Sequence, residues 1–146
     1  MSTASEVRAR VRAEHATIGR LMDEVRCALD SPVRAPPRWE PAMELCAALE
    51  RLLDFEDREL LPILSDADAW GDVRVASLDD EHRAQRAMIA ALREDIDAGF
   101  RTADDLVEEV VWFVGALERD LAEERYLILT GEPLSDGCIV VDQSDG

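Results

Sequence analysis

A chain of 146 residues, 47% of them apolar, has the size and composition of one domain around one core. Its net charge of −17 repels phosphate backbones and anionic lipid surfaces, which argues against nucleic-acid binding and membrane docking. No apolar run approaches the roughly 18 residues of a membrane span. The opening MSTASEVRARVRAEH has no apolar core of a secretory signal. Cys27, Cys46 and Cys138 form no CxxC pair, so a reducing, cytoplasmic setting is expected.

Helix signals dominate. The first predicted helix spans roughly Thr3 to Leu29, with Val7, Val11, His15, Ile18, Met22, Val25 and Leu29 on one stripe in steps of four and three. The prolines of SPVRAPPR break it. A second helix starts near Trp39 with Pro41 in its first turn, and its stripe reads Leu45, Leu49, Leu52, Glu56, Leu60, Ile63. The segment SDADAWGD reads as a loop. A third helix begins around Val75 or Ser77, carries Leu78, His82, Ile89, Leu92 and Ile96 on one face, and ends before Gly99. The fourth opens on Thr102 as N-cap, with Asp104 and Asp105 in its first turn, and runs to about Thr130, where Gly131 and Pro133 stop it. Its inward face is expected to be Trp112, Ala116, Arg119, Glu123 and Leu127.

Short connections between four amphipathic helices predict an all-α, up-down-up-down antiparallel four-helix bundle over residues 1–130. Residues 131–146 form a separate non-helical tail, whose CIVV is the one β-like run and a candidate protein-docking segment. Trp39, Trp70 and Trp112 read as core or loop anchors. Cys27 and Cys46 fall at similar heights in a hairpin, so a reversible disulfide is a secondary expectation.

The two halves echo each other. His15 and His82 stand 67 positions apart, as do Glu56 and Glu123, and Leu52 and Arg119. Each histidine, the only two in the chain, follows a glutamate. Two similar hairpins create a pseudo-twofold axis on which equivalent side chains converge. His15, Glu56, His82 and Glu123 therefore form one candidate site. Carboxylates facing one another in a core need protons or a cation. Imidazole with carboxylate suits iron, manganese or zinc. Two other solutions stay open: His–Glu pairs without metal, or Arg119 as the neutralising cation.

With EHATIGRLM at His15, DEHRAQRAM at His82, LLDFEDRELLPIL from Leu52 and RDLAEERYLIL from Arg119, the chain resembles the hemerythrin-like (HHE) domains across roughly residues 5–130. That family carries a histidine on helices one and three and an HxxxE on helices two and four. The resemblance implies a four-helix bundle with an iron centre, and it carries His15, Glu56, His82 and Glu123 over as metal ligands. Leu52 and Arg119 occupy the histidine positions of helices two and four. The implied site is thus reduced to two histidines and two glutamates, as a mononuclear centre, a di-metal centre completed by neighbours such as Glu59, Glu124 or Tyr126 or by Cys138 of the tail, or a remnant in which Arg119 replaces the metal's charge. The expected function is binding of iron and a small diatomic ligand, in sensing, binding or iron handling. The alternative is a metal-free bundle acting through protein contacts of its tail.

Overall fold

The computed structural model describes residues 3–30, 38–67, 69–99 and 101–126. Among them it holds four helical rods and no strand. The first rod is α1 (Ala4–Leu29). The second is continuous: α2 (Glu40–Phe55), a π-helical stretch (Glu56–Leu60) and α3 (Leu61–Ala67). The third is α4 (Gly71–Ala98) and the fourth α5 (Ala103–Glu124). Rod one packs on rods two and four, and rod three packs on rods two and four, which is the closed ring of an all-α bundle. None of these helices is long and apolar enough to cross a membrane. The tail proposed for residues 131–146, with its CIVV, lies outside the described residues.

Local chemistry explains the helix ends. Thr3 and Glu6 form a reciprocal capping box at α1: the Glu6 amide donates to the Thr3 hydroxyl at 3.1 Å, and the Thr3 amide to the Glu6 carboxylate at 2.7 Å. Thr102 caps α5 by accepting from the Asp105 amide at 3.1 Å, as its sequence predicts. Gly99 ends α4 in the left-handed region at φ 68°.

The third rod starts earlier than its apolar pattern predicts. It begins at Gly71, and α3 runs to Ala67, so the predicted SDADAWGD loop shrinks to a tight turn. The Ser65 hydroxyl donates to Asp72 across that turn at 3.0 Å. Glycine makes the turn fit, because a Cβ at position 71 would stand 2.3 Å from the Leu64 carbonyl oxygen and 2.5 Å from that of Ser65. Gly71→Ala is therefore expected to cost about 1–3 kcal/mol in a urea melt, since backbone must move. Gly19→Ala, with nothing within 4 Å of its Cβ, should gain about 0.5–1 kcal/mol. An alanine at 71 without effect would mean the turn is looser than drawn.

The apolar side chains form two clusters. One gathers Ile18, Met22, Leu45, Leu49, Leu53, Ile89, Phe113, Leu117 and Leu121 with their neighbours. The other comprises Val7, Val11, Phe55, Leu60, Leu64 and Leu78. Buried polar residues lie where the two clusters meet, His15 on rod one, Glu56 on rod two, and His82 and Gln85 on rod three, and Glu124 follows the larger cluster on rod four, so a polar layer crosses the bundle. Cys46 lies fully buried in the larger cluster while Cys27 is exposed, and both are free thiols, so the disulfide expectation is not met. Burial pushes the Cys46 thiol up to about 11, which keeps it inert. Trp70 and Trp112 are exposed rather than core anchors; Trp39 packs at the edge of the larger cluster.

Candidate metal centre

The polar layer is built by one residue from each rod: His15, Glu56, His82 and Glu124, none more than 3% exposed. Of the four residues expected at the site, the structure buries His15, Glu56 and His82 in this layer and leaves Glu123 exposed, while its neighbour Glu124 faces the core. The reason is helical register. On rods one and three the 67-residue echo holds around the layer, since Val11, His15, Ile18, Met22 and Val25 match Leu78, His82, Gln85, Ile89 and Leu92, all buried. On rods two and four the buried pattern matches one position later. Leu45, Leu49, Leu53 and Glu56 correspond to Phe113, Leu117, Leu121 and Glu124. Each residue turns a helix by about 100°, so a slip of one moves the whole face. Trp112 and Arg119 accordingly stand outside. The spacing of Leu117 and Leu121 beside that of Leu49 and Leu53 was the signal that locates Glu124.

The slip also changes which residue stands one turn before the second glutamate. That position is Asp120, not Arg119; its counterpart on rod two is the fully buried Leu52. Arg119 is exposed and its guanidinium lies 3.9 Å from where a Cβ on Gly115 would be, so it does not sit between the glutamates.

The π-helical stretch positions Glu56. The Leu61 amide reaches the Glu56 carbonyl, five residues back. Pro62 follows immediately, with no N–H to donate to Arg58 and a ring that would crowd that carbonyl, and a widened turn relieves both defects. Within this turn Glu56 points into the core while Asp57, beside it, reaches His82 from the solvent side.

His15 Nε2 donates to Glu124 Oε1 at 3.1 Å and lies 3.9 Å from Glu56 Oε2. Nε2 of His82 is 3.0 Å from Glu56 Oε1 but not aligned for a hydrogen bond. His82 Nδ1 donates to Asp57 Oδ1 at 2.7 Å. Ligand atoms of His15, Glu56 and Glu124 lie within 4.8 Å of one another. Both oxygens of Glu56, Nε2 of His82 and Nδ1 of His15 are buried without a hydrogen-bond partner. Burial, and then the charge of Glu124, raise the Glu56 carboxyl well above its ordinary range. For Glu124, burial opposes ionisation, but the adjacent Glu56 carboxyl and the hydrogen bond from His15 outweigh it and hold the carboxyl low. His15, Glu56 and Glu124 thus bring ligand atoms together at one buried place, with His82 Nε2 beside Glu56 Oε1, and such a set of carboxyl and imidazole donors fits a divalent cation.

One side of the layer opens to a cavity of about 520 Å³, walled by Leu64, Val73 and Leu78, by Arg74 and Ser77, and by the acids Glu81, Asp120, Glu123 and Glu124. Burial and the neighbouring Glu124, Asp120 and Glu123 push Glu81 up to about 7. The Gln85 amide donates to Asp120 at 3.1 Å. Sequence reasoning missed Gln85 and Asp120, and named Glu124 only as a neighbour that could complete a di-metal centre; a reading of the stripes in the shifted register brings Glu124 inward.

No curated protein and no solved structure matches the chain. Its sequence does match the family described as the hemerythrin HHE cation-binding domain over residues 6–130, nearly the whole described bundle. The four-rod fold and the buried His/Glu/Glu group between the rods agree with that match. The chain belongs to the hemerythrin HHE cation-binding domain family.

Proposed function

We propose that this chain binds one iron ion in the polar layer, held by His15, Glu56, His82 and Glu124, and that the adjoining cavity admits a small ligand such as dioxygen or nitric oxide. The observation that carries the reading is the pair of unsatisfied Glu56 oxygens at 0% exposure, facing the unsatisfied His82 Nε2. A buried carboxylate in that state costs several kcal/mol, and a cation offsets that cost. Arg119 is exposed and does not stand between the glutamates to do the same, which favours this reading over the remnant in which Arg119 replaces the metal.

One metal is proposed rather than two. Leu52, fully buried one turn before Glu56, offers no ligand on rod two, and Asp120 is engaged by Gln85. A bound iron would supply a redox-active Lewis acid. The chain's part is to bind and orient. Glu56 reaches both histidines, Glu124 closes the layer beside the cavity, and the two apolar clusters keep water from either end. The proposed roles are ligand sensing, ligand binding or iron handling, in the cytoplasm.

The test is elemental analysis with an absorption spectrum on tag-free protein grown with added iron. About one iron per chain is expected. Folded protein that takes up no iron, manganese or zinc would overturn the reading, and two irons per chain would overturn the single-metal form of it.

A further inference from the structure

The two histidines of the layer are held differently. His82 stands at the inner end of a chain of three groups. Its Nδ1 donates to Asp57 Oδ1 at 2.7 Å, and the second Asp57 oxygen accepts from Arg86 at 2.6 Å. Arg86 is in turn anchored by Asp54 at 3.1 Å. His82 is 2% exposed at its side chain, whereas Asp57 is 37% exposed, so the chain runs from the bundle interior to its surface. His15 has no such support: its Nε2 is used on Glu124 and its Nδ1 has no partner.

An imidazole that donates from Nδ1 carries its lone pair on Nε2. For His82 that lone pair lies 3.0 Å from Glu56 Oε1, on the side of the proposed cation. A carboxylate behind a ligating histidine fixes its tautomer and ring orientation and strengthens it as a donor. We propose that Asp57, steadied by Arg86, is a positioning residue that fixes the His82 ring with its Nε2 turned toward Glu56, so that His82 adds a preset ligand to a divalent cation held by His15, Glu56 and Glu124. The inference rests on the metal-binding reading above. It explains why Glu56 and Asp57 are adjacent on the π-helical stretch: the widened turn lets one face the core while the other backs the histidine.

The test has two parts. The first needs no metal: ¹⁵N–¹H correlation spectra of the histidine rings in chelator-treated protein. The proton of His82 is expected on Nδ1, and Asp57→Asn should shift its ring nitrogens. A wild-type His82 protonated on Nε2 alone would overturn the proposal whether or not metal binds. The second is Co²⁺ affinity by chelator competition. Asp57→Asn should weaken Co²⁺ binding about 10–100-fold and alter the Co²⁺ visible spectrum, while helical content and melting stay near wild type. Asp54→Asn removes the same charge from Arg86 without touching His82 and should change affinity by less than about threefold. Equal losses in both variants would show a general charge effect and overturn the positioning role. An Asp57→Asn protein that binds Co²⁺ like wild type would do the same. A wild type that binds no Co²⁺, yet keeps His82 protonated on Nδ1, would strike at the metal reading and leave the hydrogen-bonded relay standing.

Discussion

Glu124→Ala is expected to empty the centre of metal, and Glu123→Ala to leave its metal content within error of wild type. The two residues are chemically identical neighbours on α5, so only the turn of the helix separates them. Glu124 is 3% exposed and hydrogen-bonded to His15; Glu123 is exposed on the wall of the cavity. Alanine at 124 removes a proposed ligand and leaves His15 Nε2 without its acceptor, which should also cost the metal-free protein about 1–3 kcal/mol. The same change at 123 touches a solvated side chain and should stay within about 0.5 kcal/mol. Iron per chain and a denaturation midpoint on both variants decide it. Should Glu123→Ala lose the metal while Glu124→Ala keeps it, α5 is turned one residue from the arrangement described, and the buried layer is misassigned.

That contrast also marks how far the sequence could be read. The stripe of α1 was legible in full, because steps of four and three over seven residues allow one helical face only. His15, Glu56 and His82 followed from their place on such stripes, each framed by aliphatic residues that define the inward direction. The fourth residue of the buried layer was not legible from repeat spacing. Equal spacing carries across two hairpins only if their connections are equally long, and here the second rod of each hairpin is offset by one position against the first. With Glu123 and Glu124 side by side, either fits a loose echo; Leu117 and Leu121 decide between them. The π-helical turn was hidden for a different reason. Proline marks a disturbance but not whether the rod breaks or widens there. Asp57 and Gln85 were invisible because their importance lies in partners 25 and 35 positions away.

Glutamine at position 56 should make the metal-free protein more stable at neutral pH while greatly weakening its grip on iron. Both effects come from one cause. Burial, reinforced by the charge of Glu124, raises the Glu56 carboxyl above its ordinary value of 4.5. A group whose folded-state value is raised contributes stability that is fully present below about 4.5 and lost as pH rises through the folded-state value. At neutral pH the metal-free chain must therefore either hold a proton against solution or bury a charge. An amide has the same shape and needs neither. Its N–H can still donate toward Glu124, so the low-lying Glu124 carboxyl, whose stabilisation is lost in the opposite direction as pH falls, is expected to persist. The gain from Glu56→Gln should be about 1–3 kcal/mol near pH 8 and shrink toward zero near pH 4.5. Urea unfolding in the presence of a chelator, at both pH values, measures it. A variant equally destabilised at the two pH values would mean that Glu56 is satisfied in the metal-free fold and needs no cation. The expected pattern instead places Glu56 among residues kept at a cost to the fold because a ligand repays it, as sites with unsatisfied buried groups generally are.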